Sequence, residues 1–452
     1  MQSELDVLQD LSVEYRRVSS VLEREIQALS RKILQTRKRK GRNPLETKDA
    51  FAAWWGSYLR GDRDPIQVDA QPVRFVDLYS SVGGLSLGAV EAIQALGMRP
   101  VPLLAVDVDG EALKTYRRNL RPREVVHESV RSLVDFRVLG RGPGATFAYE
   151  PTLRDSQLAA HTGRVDLILA GPPCQGHSTL NNHSRGNDPK NLLYLTVPAI
   201  AVALKAEHVV IENVPNVVND QSAVVETTQA LLHDAGYRIS AAVLAADQLG
   251  WPQTRKRYFL IASRGGAPLD LGVLAEKVSR DALPVSWILQ DSLEKEMSPE
   301  DLMWSVPALS RDNQRRIDHL FDNDLFDLPN AERPDCHKDG TTYGAVYGRM
   351  HWDRPAPTIT TGFLTPGRGR FTHPRLRRVL TPREAARIQG FPDWFKMIGE
   401  NPGSVSRADL SKWIGDAVPT ILGYTATIAA LAGATGNHAK VHENDSIHQH
   451  AS

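Results

Sequence analysis

Val165-Asp166-Leu167-Ile168-Leu169-Ala170-Gly171-Pro172-Pro173-Cys174-Gln175-Gly176-His177-Ser178 is the stretch on which the fold turns. The short apolar run Val165 to Ala170 predicts a strand buried on both faces, as in a parallel sheet. The double proline that follows stiffens the chain and removes two N–H donors, so a thiol stands at a rigid strand end. Open α/β sheets bind their ligands beyond the carboxyl ends of the strands. Cys174 in that place is a candidate nucleophile, against the plainer reading of a small buried apolar side chain.

Outward from this strand the same rhythm repeats. Val73–Leu78, Leu103–Val106, His208–Ile211 and Tyr258–Ala262 are strand-like, with helical stretches between them. That alternation predicts a doubly wound, mainly parallel α/β sheet. The Gly- and Pro-bearing stretch Gly140 to Pro151 reads as a surface insertion, and after Ala262 the rhythm stops. Helical signals resume at Thr381-Pro382-Arg383-Glu384, an N-cap followed by proline at the first helical position. The expected division is a helical extension over 1–70, a catalytic core over 71–262 and a small separate domain over 263–380. A return to the core over 381–436 and a disordered tail over 437–452 complete it.

Ahead of the core, Leu8, Leu11, Tyr15, Val18, Leu22, Ile26, Leu29 and Ile33 recur at spacings of three and four. They predict an amphipathic helix to about residue 36, packed on the core or free to self-associate. A second helix is expected over Thr47 to Leu59, carrying Phe51, Trp54, Trp55 and Tyr58.

Composition narrows the class. The 452 residues are 41% hydrophobic and 24% charged, values of an ordinary globular chain. The net charge of +1 hides basic clusters at Arg37-Lys38-Arg39-Lys40 and from Arg368 to Arg378, which suit a polyanionic partner. Two cysteines make no disulfide framework, and the start has no signal-peptide pattern, so a cytoplasmic location is expected. The longest apolar run, around Val197 to Leu204, is too short to span a bilayer, so no membrane is expected as a partner. Cys336-His337 lacks a second ligand pair nearby, and no metal is expected.

Other strand ends carry chemistry too. Phe75-Val76-Asp77-Leu78-Tyr79-Ser80-Ser81-Val82-Gly83-Gly84 reads as strand, tight glycine turn and helix start, without the third glycine of a dinucleotide fingerprint. Asp107 ends the next strand, where a carboxylate can take a ribose diol. Together they suit S-adenosylmethionine, though an ordinary strand-to-helix turn has the same look. Glu212 ends the strand after Cys174, where it can hold a proton for a base nitrogen or simply cap a helix. Gln253, Arg255 and Arg257 alternate onto one face, and paired guanidiniums suit phosphate, carboxylate or a base carbonyl.

Set in order with Arg383-Glu384-Ala385-Ala386-Arg387-Ile388-Gln389-Gly390-Phe391-Pro392 and Gly415-Asp416-Ala417-Val418-Pro419, these elements resemble the DNA (cytosine-5)-methyltransferases of the prokaryotic type. The resemblance covers roughly residues 72 to 432. It implies a class I methyltransferase sheet with a target-recognition domain, using S-adenosyl-L-methionine on duplex DNA at a specific short sequence. It implies Cys174 as the thiolate that adds to C6 of a flipped-out cytosine and Glu212 at N3 of the ring. Arg257 would hold O2, and Arg255 would steady the intermediate. On the cofactor side it implies Phe75, Asp77, Leu78, Gly83, Gly84, Asp107, Val108, Ser129, Val130, Pro173, Leu193, Asp416 and Ala417. Gln175, Ser178 and Gln253 are the implied DNA contacts.

The chain departs from the family pattern where Ser129 stands for an adenine-contacting acid and Asp416 for the usual asparagine. The stretch between Asp107 and Cys174 is also longer than in compact members. A restriction or defence partner is the implied setting. The rival readings are a transfer-RNA methyltransferase of the same family, whose Cys-Phe-Thr element is absent here, and a non-catalytic DNA-binding regulator on the same scaffold. Arg349, Arg354, Thr360, Thr361, Arg368 and Arg370 are expected to supply phosphate or base contacts.

Overall fold

The computed structural model describes residues 12–19, 21–28, 31–38, 48–62, 68–173, 193–298, 300–338 and 345–433. Over residues 12–38 the expected helix is replaced by a three-stranded antiparallel sheet. Its strands β1 (Ser12–Val18), β2 (Val21–Ala28) and β3 (Arg31–Lys38) lie in chain order. Register sets Val13, Ile26 and Ile33 in one row, and Tyr15, Arg24 and Gln35 in the next row of the same face. That face turns inward although its members include arginines, two of which, Arg24 and Arg37, are buried. Counting only apolar residues breaks the period-two pattern at those arginines and leaves a spurious helical spacing. The reading of this stretch as a self-associating helix falls with it.

Arg24 and Arg37 sit over the Trp54 ring at 4.6 and 4.1 Å. Trp54 belongs to α1 (Ala50–Leu59), whose first turn is capped by Asp49 through the N–H groups of Phe51 and Ala52. This helix is the second one expected from the sequence.

The main body is mixed α/β around a central, mostly parallel sheet. In chain order it comprises β4 (Pro72–Leu78), α2 (Gly84–Ala95), β5 (Arg99–Asp107), α3 (Gly110–Leu120), β6 (Glu124–His127) and β7 (Leu167–Ala170). Then come α4 (Thr196–Leu204), β8 (His208–Asn213), α5 (Val224–Asp234), β9 (Arg238–Ala245) and β10 (Lys256–Ser263). The seven strands lie in the order β9-β10-β8-β7-β4-β5-β6, and β10 runs antiparallel to both neighbours. All five strands expected from apolar runs are present. The two missed are β6, four residues at the edge, and β9, whose alanines and exposed residues give no strong strand signal.

Successive strand residues feed two apolar layers. Phe75, Leu169, Val210 and Phe259 face one, with α1 and α2; Val76, Ile168, Val209 and Leu260 face the other, with α4 and α5. The chain returns late to the first layer through α6 (Leu271–Lys277) and, after α7 (Arg311–Asp322) and α8 (Pro382–Gln389), through α9 (Arg407–Asp416) and α10 (Thr420–Ala432). Every residue of α10 is buried, which accounts for its continuous apolarity. It lies so close to α2 that a Cβ on Gly88 would stand 2.5 Å from the Thr420 carbonyl oxygen. Among the described residues of 263–380, Leu320, Leu328, Val346 and Tyr347 form an apolar cluster of their own, whereas Trp287, Met303, Met350, Phe363 and Phe371 pack in the main core.

Candidate active site

The chain leaves β4 for β5 on one side while β7 pairs on the other, which makes the carboxyl end of β4 the switch point of the sheet. A crevice opens at such a point. The turn after β4 is unusual: Tyr79 and Ser81 both have positive φ, +59° and +45°, ahead of Gly83 at +97°. Non-glycine residues in that region cost about 1–3 kcal/mol each and persist where the surroundings enforce them. The enforcing bonds are Ser80 N–H to the Val106 carbonyl at 3.0 Å and Ser81 N–H to Asp107 Oδ2 at 2.8 Å. A Cβ on Gly83 would stand 2.4 Å from Leu120, so only glycine fits there.

Asp107 is held from both sides, since its Oδ1 also accepts the Asp109 N–H at 2.9 Å. Each oxygen keeps a second lone pair for a ligand diol. Val108 beside it is 68% exposed, an apolar face turned to solvent at the mouth of the crevice. Ser129 is half-buried at the end of β6, and Ala417 packs 3.0 Å from the place of a Gly84 Cβ. The buried hydroxyls of Ser80 and Ser81 have no hydrogen-bond partner among the described residues. Unmatched donors beside a fixed carboxylate and a backbone-lined glycine turn fit the polar methionine and ribose portions of S-adenosylmethionine. Asp77 lies beneath, its Oδ2 accepting the Ser86 hydroxyl at 2.5 Å, and burial pushes its carboxyl up to about 7.

Three of the expected cofactor residues have side chains turned away from the crevice. Phe75 is fully buried in the core, three residues before the strand end, and Leu78 and Val130 are buried in the opposite apolar layer. The aromatic side chain that reaches the crevice is Tyr79. Its hydroxyl lies 3.1 Å from the Leu193 carbonyl and 2.8 Å from Thr196 Oγ1, tying the turn to the start of α4. Its place just past the strand, ahead of the glycines, was the available signal. Strand alternation carries the Phe75 ring into the core.

On the other side of β7, Gly171 N–H reaches the Leu78 carbonyl at 3.3 Å and Asn213 Nδ2 donates to the Pro172 carbonyl at 3.2 Å. Asn213 thus fastens the end of β8 to the segment that leads to Cys174. Glu212, next to it, is 8% exposed, and its Oε1 meets Arg257 Nε at 2.7 Å. Burial pushes the Glu212 carboxyl up, and the neighbouring Arg257 and Arg255 guanidiniums only partly oppose this. The result is an acid of raised proton affinity beside a fixed cation at the edge of the sheet.

Arg255 and Gln253 do not share that exposure. Arg255 is 2% exposed and donates to the carbonyls of Ile359, Gly415 and Asp416. Gln253 is fully buried: Nε2 donates to the Ile388 carbonyl and Gln389 Oε1, both at 3.0 Å, and Oε1 accepts the Ile359 N–H. The expected DNA contact at Gln253 is therefore corrected to an internal brace that joins β10 to α8 and to the 359–361 segment. Cys174, Gln175 and Ser178 lie outside the described residues; Pro173 and Leu193 border them.

With this geometry in hand, comparison with known proteins is specific. Residues 73–429 match the model of the C-5 cytosine-specific DNA methylase family. The chain is 40% identical over 390 residues to the Type II methyltransferase M1.BsuMI of Bacillus subtilis, covering 86% of this chain and 87% of the relative. It is 30% identical to the Type II methylase M.HgiDII of Herpetosiphon aurantiacus, over 77% of this chain and 92% of the relative. The crystal structure of a prophage-encoded E. coli protein superposes with a TM-score of 0.53 at 22% identity, covering 79% of this chain and 98% of that one, a likeness of fold. Matched along most of its length, and with a strand-end acid, arginine pair and glycine turn at one edge of the sheet, the chain belongs to the C-5 cytosine-specific DNA methylase family.

Proposed function

We propose that this enzyme methylates C5 of a cytosine turned out of duplex DNA within a short recognition sequence, as the modification member of a restriction or defence system. The observation that carries the reading is the buried Glu212–Arg257 pair at 2.7 Å, on the strand fastened through Asn213 to Pro172, two residues before Cys174 in the sequence. The target must leave the duplex because its C6 face is otherwise stacked. The Cys174 thiolate adds to C6 while Glu212 gives its proton to N3, so the electron pair of the C5–C6 bond becomes available at C5. Arg257 holds O2 and the Glu212 carboxylate in line, and Arg255 keeps the strand in position from behind. Asp107, Gly83, Gly84, Ser80 and Ser81 would hold S-adenosyl-L-methionine, which when bound would supply an electrophilic methyl group for C5 and leave as S-adenosylhomocysteine. A base or water then takes the C5 proton, the C5–C6 double bond re-forms as the Cys174 thiolate leaves, and N3 returns its proton to Glu212.

Sequence readout is assigned to the 263–380 region. Single-base 5-methylcytosine sequencing of a methylation-free bacterial host expressing the chain tests the proposal. Methylation at one short motif, lost with Cys174→Ser, is the expected result. An unmethylated genome with soluble, S-adenosylmethionine-binding protein would overturn it.

A further inference from the structure

The arginines around residues 349–378 look alike in sequence, and the fold separates them by what they touch. Arg349 donates to Asp324 at 3.2 Å and to the Pro374 carbonyl at 3.0 Å. Arg370 holds the carbonyls of Phe326 and Arg349 and the carboxylate of Asp327. Arg377 pairs with Asp322 at 2.6 Å, and Arg378 is held by both oxygens of Glu384 at 2.8 Å. These four brace the region internally. Arg375 makes no ion pair among the described residues. Its exposed guanidinium lies 4.6 Å over the Trp352 ring. Its turn is rigid, because the N–H groups of Arg375 and Leu376 both donate to His373 Nδ1 at 3.0 Å.

Beside it is a cleft of about 370 Å³, walled by the rings of Phe321, Phe326 and Trp352 and carrying Arg349, Arg375 and the exposed Asp353. One unpaired guanidinium and one carboxylate on an aromatic floor are complementary to the major-groove edge of a G·C pair. Guanine O6 and N7 accept from an arginine, and cytosine N4 donates to an acid. The cleft is also tied to the catalytic edge. In the segment running on from Trp352, the Ile359 carbonyl accepts from Arg255 and the Thr361 carbonyl accepts the Ser411 hydroxyl at 2.6 Å.

We infer that this cleft reads one G·C pair of the recognition sequence, Arg375 on guanine and Asp353 on the paired cytosine. The inference rests on the reading of the chain as a methylase of duplex DNA. Arg354 and Arg368, exposed and without an ion pair among the described residues, lie outside the cleft and suit phosphates.

The test uses purified full-length enzyme, the motif found by sequencing, and duplexes substituted at each motif position in turn. Wild type should discriminate at every position. Arg375→Ala and Asp353→Asn, both at exposed positions, should each lose about 10- to 100-fold of that discrimination at one and the same G·C pair. Binding of S-adenosylmethionine should be unchanged. Equal loss on all duplexes with a shallower salt dependence would make Arg375 a phosphate contact and overturn the inference, as would unchanged discrimination. Failure of wild type to methylate any duplex overturns this inference together with the proposed function, whereas the former two results leave that function standing.

Discussion

Replacing Glu91 by glutamine removes the anion from a buried triad. The Glu91 carboxylate is 7% exposed on α2, with Arg37 Nη2 at 3.2 Å and Arg24 Nη1 at 3.7 Å, their side chains 4% and 0% exposed. The N–H bonds that remain in the variant, Arg24 Nε to Gln35 at 2.9 Å and Arg37 Nη1 to the Trp54 carbonyl at 3.3 Å, are present in wild type as well. So is the stacking of both guanidiniums on Trp54. The change therefore isolates the charge. Leaving buried charge without its partner costs about 3–5 kcal/mol. The glutamine oxygen still accepts one hydrogen bond, so the lower end, about 3 kcal/mol, is expected.

Equilibrium urea unfolding read by tryptophan fluorescence reports it, with Trp54 itself in the triad. A triple variant Arg24→Met, Arg37→Met, Glu91→Leu should recover most of the loss, because apolar replacement of a whole buried ion triad is often neutral or stabilising. A Glu91→Gln midpoint equivalent to less than about 0.5 kcal/mol would refute the claim that the amino-terminal sheet is locked to α2 by charge.

Three further outcomes are expected. Glu212→Gln keeps the bond geometry toward Arg257 but cannot hand over a proton, so single-turnover methylation should fall about 10²- to 10⁴-fold with S-adenosylmethionine affinity retained; a rate within threefold of wild type would contradict the assignment. Arg255→Met deprives three backbone carbonyls of a charged donor and should destabilise the fold by about 2–3 kcal/mol, detected by denaturant melts before any activity assay. Acid should loosen the 373–384 latch. Burial holds His373 down to about 4, and Glu384, which burial alone would raise, is brought to about 2 chiefly by the Arg378 hydrogen bonds. The unfolded chain takes up these protons first, so each group's contribution is full above its ordinary value and declines as pH falls, from 6.5 to 4 for the histidine and from 4.5 to 2 for the glutamate. The slope is about 1.4 kcal/mol per pH unit for each group while it titrates. His373→Gln should flatten the upper part of that decline; an unchanged stability profile between pH 6.5 and 4.5 would contradict it.

What could be read from the residues alone was whatever is local in the chain. Apolar runs such as Leu167–Ala170 and His208–Ile211 declared parallel strands because a strand buried on both faces must be apolar at every position. Glu212 and Arg257 could each be proposed as site residues because each lies at a strand end, and ordered motifs tie strand ends to chemistry; that they pair came from the fold. Tertiary structure decided what depends on neighbours distant in sequence. Arg24 and Arg37 turn inward only because Glu91 and Trp54 receive them, and without those partners their charges mark an exposed face. Gln253 and Arg255 were indistinguishable from Arg257 by alternation, yet carbonyls some 100 to 160 residues later claim two of the three for internal bracing. Likewise Arg375 stands apart from Arg370 and Arg377 only by having no carboxylate within reach among the described residues. Burying a charged or polar side chain is favourable only with a partner in place, and no local pattern carries the position of that partner.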